Sequence, residues 1–204
     1  MEAVKELFVR GGPLMYAIAF CSVLALGIFL ERLWVFAALR RECRHLSDEV
    51  GALVRDGRTD LAEARCLNAR GPIASIFLAI LHTSASETAS IRNTLEEEGA
   101  RQVLFVNRHL GLLSTIATVS PLLGLLGTVL GMIQAFNVIA ARGSGTPATL
   151  GGGISQALLT TAAGLSVAIP AILLHRYLSS RASLVLLEME ERSRALLHML
   201  ARRS

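Results

Sequence analysis

Hydrophobic and polar residues divide the chain into three long apolar runs separated by segments of polar, helix-like pattern. The first run, Pro13–Leu30 (PLMYAIAFCSVLALGIFL), carries no charge and is closed by Glu31-Arg32. The second, Leu110–Ala141, has no Asp, Glu, Lys, Arg or His between His109 and Arg142. The third, Ile154–Leu174, ends at His175-Arg176. Each approaches or exceeds the roughly 20 apolar residues that carry a helix across the hydrocarbon core of a bilayer. The pattern therefore predicts membrane helices over 13–36, 110–141 and 154–176. The first is read as a retained anchor, because its start is mixed in charge and its apolar run is too long for a signal peptide. Trp34 and Phe36, just beyond the charged pair, fit an interfacial aromatic belt.

The segments between the runs also read as helical. Residues 1–12 put Val4, Leu7 and Phe8 on one side of a short helix lying on the membrane, ended by Gly11-Gly12-Pro13. Residues 37–109 form the extended polar region. It reads as helices over about Arg40–Arg55 and, after the turn at Asp56-Gly57, about Asp60–Ala69. A third starts near Pro72, and a fourth near Glu87 has no strong breaker but Gly99, so it is expected to run straight into the second span. Residues 142–153 (RGSGTPATLGGG) read as a connector, and its glycines lack the Gly-Lys-Ser/Thr that a phosphate cradle needs. Residues 177–204 set Leu184, Leu187, Leu196, Leu197 and Leu200 against Glu188, Glu190, Glu191, Arg192 and Arg194, an amphipathic helix. The expected fold is all-α: an integral membrane protein whose three membrane helices extend into long cytoplasmic helices.

Small residues recur in the last two spans at helical steps. Ala117, Pro121, Gly124, Thr128, Gly131 and Ala135 mark one face of the second; Ala157, Thr161, Gly164, Ala168 and Ala171 mark one face of the third. Lipid is as apolar as leucine, so burying leucine between membrane helices gains little, and a stripe of small residues marks where another backbone comes close. Gly124, Gly131, Gly164, Pro121 and Pro170 are the helix-packing candidates. Thr128 and Thr161 place one hydroxyl on each stripe. Either each bonds a carbonyl one turn back and does no more, or the pair lines a path. Ser155, Gln156 and Thr160 gather at the outer end of the third span, where Gln156 and Thr160 read as a pore entrance narrowing toward the hydroxyls.

Composition supports a membrane protein. Of 204 residues, 52% are hydrophobic and 18% charged, more apolar and less charged than a typical soluble domain, and the mean hydropathy is +0.53. The net charge of +4 does not point to nucleic acid, because the basic residues are nearly all Arg and flank apolar runs. Only Lys5, Arg10 and Arg142 fall in the N-terminal piece and the connector; the other 17 of 20 Lys and Arg lie in Glu31–His109 and from Arg176, at the end of the third span, onward. By the positive-inside rule those two segments are cytoplasmic, and the N-terminus and connector lie outside. Cys21, Cys43 and Cys66 are isolated, so neither disulfides nor a metal site is expected, and Cys43 with His45 has no second pair to complete one.

No enzyme constellation or cofactor motif is present. Hydroxyls orient water or coordinate cations but do not titrate near neutral pH, whereas membrane proton relays normally contain Asp, Glu or His. Glu31, His109 and His175 all sit at span boundaries, where the two histidines read as interface anchors ahead of a role in proton exit. If protons cross here, the titrating group comes from another chain.

The residues L-x-x-I-A-x-x-x-P-L-L-G-L-L-G-T-V-x-G-M-I, Leu113–Ile133, and G-I-S-Q-A-L-L-T-T-A-A-G-L-x-x-A-I-P-A, Gly153–Ala171, resemble the MotA/TolQ/ExbB proton-channel family. Three spans with a large cytoplasmic insertion after the first look like its ExbB/TolQ branch. The resemblance implies a homopentamer around a pore lined by the second and third spans. It also implies that a dimer of a single-span ExbD/TolR-like protein sits in that pore and supplies a proton-accepting aspartate. Force would pass to a TonB- or TolA-like protein in a bacterial inner membrane. The family's two pore threonines match Thr128 and Thr161. Its third-span glutamate is replaced by Gln156, which cannot be protonated in turn. Glu31 resembles the acidic residue that often closes the first span. The other reading of the same stripes is a scaffold that assembles its partner without conducting.

Overall fold

In the computed structural model of the protein, residues 2–69, 71–82, 97, 99–142 and 147–201 are described. They form α1 (Glu2–Gly11), α2 (Leu14–Arg55), α3 (Thr59–Leu67), α4 (Pro72–His82), a helix α5 seen over residues 99–106, α6 (Leu110–Arg142) and α7 (Pro147–Ala201). No strand occurs among the described residues. Helices α2, α6 and α7 each contain a stretch long and apolar enough to cross a membrane. The chain divides into two compact units, Met1–Leu30 with His109–Tyr177, and Glu31–Arg108 with Leu178–Ser204. It passes between units at Leu30/Glu31, Arg108/His109 and Tyr177/Leu178, each at or within two residues of a boundary residue singled out in the sequence.

The first unit contains α1, the N-terminal part of α2, α6 and the N-terminal part of α7. Gly12 turns the corner between α1 and α2 at φ +73°, a left-handed conformation that glycine adopts without strain. Phe8 and Tyr16 pack across that corner with ring centroids 5.1 Å apart. The interior is built from small groups: Ala25, Ala117, Ser120, Ala135, Ala157, Thr160, Ala168 and Ala171 are buried beside Met15, Ile18, Leu113 and Ile116. Leu122, Leu125, Val129, Leu158, Leu165 and Ile169 are exposed. Small inside and large outside is the arrangement that suits a unit surrounded by hydrocarbon.

The second unit is organised like an ordinary water-soluble bundle. Phe36, Leu39, Cys43, Leu46, Val50 and Val54 are buried at steps of three and four along α2. Leu178, Ala182, Val185, Met189, Ser193 and Leu196 do the same along α7. The two segments run parallel: Arg40 and Arg44 pair with Glu188 at 2.9 and 2.7 Å, and Asp48 pairs with Arg192 one turn further on at 3.0 Å. Burial raises the pKa of Glu188, but its hydrogen bonds to Arg44 and Arg40, with their charges, outweigh this and hold the carboxyl below its ordinary value. α3 packs on α4, whose Ile73, Ile76, Phe77 and Ile80 are buried. Arg65 ties α3 to α2 through Glu49 at 2.7 Å.

Four expectations are revised. The helix leading into the second span does not run on unbroken: residues 107–109 form a turn and His109 sits at φ 67°. Histidine tolerates this left-handed conformation better than most residues, so no glycine or proline announced the break. The start expected near Glu87 lies outside the described residues. The C-terminal amphipathic segment is not a separate helix, since α7 runs from Pro147 to Ala201. Gly151–Gly153, expected in the connector, are already helical. Phe36 is buried to 5% exposure, while Trp34 is 76% exposed, so of the two belt candidates only Trp34 is free to meet an interface.

Candidate functional site: the seam between α6 and α7

Within the first unit α6 and α7 pair antiparallel, so that Ser120 meets Gly164, Gly124 meets Thr161, and Gly131 meets Gly153 and Ala157. The approach is backbone to backbone. A Cβ added to Gly164 would lie 2.6 Å from the Ser120 carbonyl oxygen, and one added to Gly131 would lie 2.7 Å from that of Gly153. At Gly124 the nearest atom would be the Cα of Thr161 at 3.0 Å. Glycine is required here because two helices without large hydrophobic gain must approach closely to gain van der Waals contact.

The seam follows the stripe the sequence marked, except that Ser120, Gly127 and Thr160 take the places of Pro121, Thr128 and Thr161. On α6 the buried positions are Ala117, Ser120, Gly124, Gly127, Gly131 and Ala135, while Pro121 and Thr128 are only half-buried at its edge. On α7 they are Ala157, Thr160, Gly164, Ala168 and Ala171, with Thr161 half-buried beside them and Pro170 exposed. Pro170, counted as a packing residue, therefore faces away from the seam. Thr160, expected at a wetted entrance, is 1% exposed and stands against Gly127, where any added Cβ would strike its hydroxyl. Its hydroxyl donates to the Ala157 and Gln156 carbonyls of its own helix, at 2.9 and 3.1 Å. It is a knob filling the notch that Gly127 leaves.

The two candidate path threonines sit at the rim and use their hydroxyls differently. Thr128 donates to the Leu125 carbonyl one turn back at 2.7 Å. Thr161 donates across the seam to the Gly124 carbonyl at 3.1 Å. Each hydroxyl proton is thus taken up by a backbone oxygen, and each oxygen keeps lone pairs that can accept from water or meet a cation. Both groups are neutral.

Gln156 lies with Ser155, Gln134 and Arg10 around a cavity of about 470 Å³ at the connector end of the unit. Its amide nitrogen abuts Gly12 at the α1–α2 corner. Arg10 and Gln134 were not singled out in the sequence. Gln134 is one polar residue in an apolar run, and Arg10 is distant in the chain, so only folding brings them to Gln156. The boundary residues are apart from this cluster. Glu31 pairs with its neighbour Arg32 at 2.6 Å, His109 forms the turn before α6, and His175 is half-buried near the end of the span. Among the described residues no group of His, Cys, Asp and Glu could hold a metal ion.

Comparison with known proteins agrees with this architecture. Residues 68–191 match the model of the MotA/TolQ/ExbB proton channel family. An ExbB-like biopolymer transport protein of Synechocystis sp. is 36% identical over 180 residues, 85% of this chain and 69% of the relative. Biopolymer transport protein exbB1 of Vibrio cholerae is 33% identical over 186 residues, 84% of this chain and 77% of the relative. The Tol-Pal system protein TolQ of Pseudomonas aeruginosa is 39% identical over 74 residues, 36% of this chain and 32% of the relative. The motifs in the last two spans, the three apolar helices and these matches converge: the chain belongs to the MotA/TolQ/ExbB proton channel family, on its ExbB/TolQ branch.

Proposed function

We propose that the chain is the proton-conducting subunit of an inner-membrane motor, in which Thr128 and Thr161 border the path and a carboxylate from a second polypeptide carries the proton. The family is of the transport and channel type and not an enzyme family, and its relatives include proteins named for biopolymer transport and for the Tol-Pal system. In this reading five copies surround a dimer of a single-span ExbD/TolR-like protein. The N-terminus and connector face the periplasm, and proton flow moves the pentamer against the dimer to drive a TonB- or TolA-like protein. The observation that carries it is the pair of half-buried hydroxyls at the edge of a glycine-lined seam, in spans that hold no titratable side chain of their own. Hydroxyls alone conduct no proton without water and an acid or base that titrates, which is why the second chain is needed.

The committed hydroxyl protons favour a second reading, in which the threonines only tie helices together and the protein is a non-conducting scaffold. Thr161→Val separates the two. An interhelical hydrogen bond in a membrane averages about 0.6 kcal/mol, so assembly with the partner survives in either case. If the hydroxyl lines the path, proton flux through co-reconstituted vesicles falls roughly tenfold or more, as a barrier raised by about 1.4 kcal/mol requires. Unchanged flux in both Thr161→Val and Thr128→Val leaves the scaffold. Vesicles holding this chain alone are expected to retain a pH gradient.

A further inference from the structure

A cleft of about 700 Å³ opens in the second unit between α2 and the end of α3. Trp34, Ala38, Arg41 and His45 line it from successive turns of one face of α2, with Glu42 beside them and Arg65 across from α3. Two charged residues of the lining, Arg41 and Glu42, have no ion pair among the described residues. Arg65 differs, because Glu49 neutralises it at 2.7 Å and also meets His45 at 3.5 Å. The carboxyl of Glu42 lies against Gly71, where an added Cβ would fall 2.7 Å from its atoms. Burial there raises its pKa, the mark of a carboxylate that a cation would relieve.

The place along the helix matters as much as the charges. After the Glu31-Arg32 pair, α2 is apolar again from Leu33 to Leu39, and Trp34 at the mouth of the cleft is 76% exposed. Arg41 and Glu42 follow Leu39 by two and three residues, roughly 3–5 Å along the axis. An exposed Trp beside a membrane span sits at headgroup level, so the cleft offers an apolar wall toward the acyl chains and one charge of each sign beyond it.

We propose that this cleft binds a zwitterionic phospholipid of the phosphatidylethanolamine class, with the phosphate on Arg41, the primary ammonium on Glu42 and the upper acyl chain along Trp34 and Ala38. A phosphate alone would leave Glu42 facing like charge, and a lone cation would leave Arg41 unmatched. A headgroup carrying both charges a few atoms apart answers both. A primary ammonium also donates hydrogen bonds to a carboxylate, which the quaternary ammonium of phosphatidylcholine cannot.

The test uses the full chain reconstituted in nanodiscs of equal parts phosphatidylethanolamine, phosphatidylglycerol and phosphatidylcholine, with lipids retained after detergent exchange counted by native mass spectrometry. Selective retention of phosphatidylethanolamine is expected. It should fall about tenfold or more in Glu42→Gln and in Arg41→Gln, as loss of a charge-assisted contact implies. Arg40→Gln, whose side chain is occupied by Glu188, should retain it unchanged. Circular dichroism of each variant confirms the fold. Preferential retention of phosphatidylglycerol with Glu42→Gln neutral or stronger overturns the proposal. So does equal retention of phosphatidylcholine, or no lipid retained by the unaltered chain.

Discussion

The hydroxyl of Thr161 reaches across the α6–α7 seam to the backbone carbonyl of Gly124, 3.1 Å away. The bond is open to it because Gly124 has no side chain: a Cβ there would lie 3.0 Å from the Cα of Thr161. One glycine thus brings the helices close enough for a short polar side chain to bridge them, and it leaves that side chain at the rim of the contact. Substitutions at the two positions should act on different properties. Thr161→Val should affect conduction more than assembly, while Gly124→Val should disrupt assembly itself.

The seam sets a stability prediction. Gly164→Ala places a Cβ 2.6 Å from the Ser120 carbonyl, a backbone atom that cannot rotate aside. Overpacking of this kind costs about 1–3 kcal/mol. Thermal unfolding in detergent should show a clear loss for Gly164→Ala and Gly131→Ala. Gly27→Ala and Gly111→Ala, where no atom lies within 4 Å of the added group, should be unchanged or slightly more stable, since alanine favours helix over glycine by up to about 1 kcal/mol.

Thr160 supplies a contrast with Thr161. It is buried against Gly127 and bonded within its own helix, so Thr160→Ser should leave proton-driven activity intact and lower stability only through the packing that the lost methyl leaves unfilled in the notch. Thr160→Leu should fail to assemble. Activity lost in Thr160→Ser with stability unchanged would move the path to this side of α7.

His109 tests the break before α6. At φ 67° a β-branched residue is strained by about 1–2 kcal/mol, whereas glycine is not. His109→Val should therefore lower the melting temperature, and His109→Gly should not. If His109→Gly proved the more damaging, the ring and not the backbone would be the important feature.

Acid should loosen the second unit through Glu188. Its folded pKa lies below the ordinary carboxylate value of 4.5. Its contribution is therefore fully present above that value and is lost as pH falls through the lower folded one. Unfolding followed from pH 7 downward should show a stability loss beginning below about pH 4.5 that is smaller in Glu188→Gln. In the same unit burial pushes the Cys66 thiol up to about 11 and raises that of Cys43 as well. In a Cys21→Ser background both should react slowly with a maleimide at pH 7 and rapidly once the chain is unfolded.

The three spans, the turn at Gly57 and the start of α4 at Pro72 were legible in the residue pattern. Each depends on a property local to the chain: continuous apolarity, a glycine at φ +80°, or a proline in a first helical turn. The small-residue faces were legible only to within one position. Adjacent residues differ by about 100° around a helix, and with small residues at both Thr160 and Thr161, and at both Gly127 and Thr128, either choice continues the stripe. Tertiary packing resolved it, because only Thr160 fits the notch at Gly127 and only Thr161 reaches the Gly124 carbonyl. The break at His109 and the meeting of Arg10 with Gln134 and Gln156 were beyond the sequence for the same reason. Sequence alone determined which segments avoid water, a matter of each residue's own chemistry. Which side chain faces which was decided only when two backbones came within van der Waals reach, since that depends on the fit of both surfaces at once.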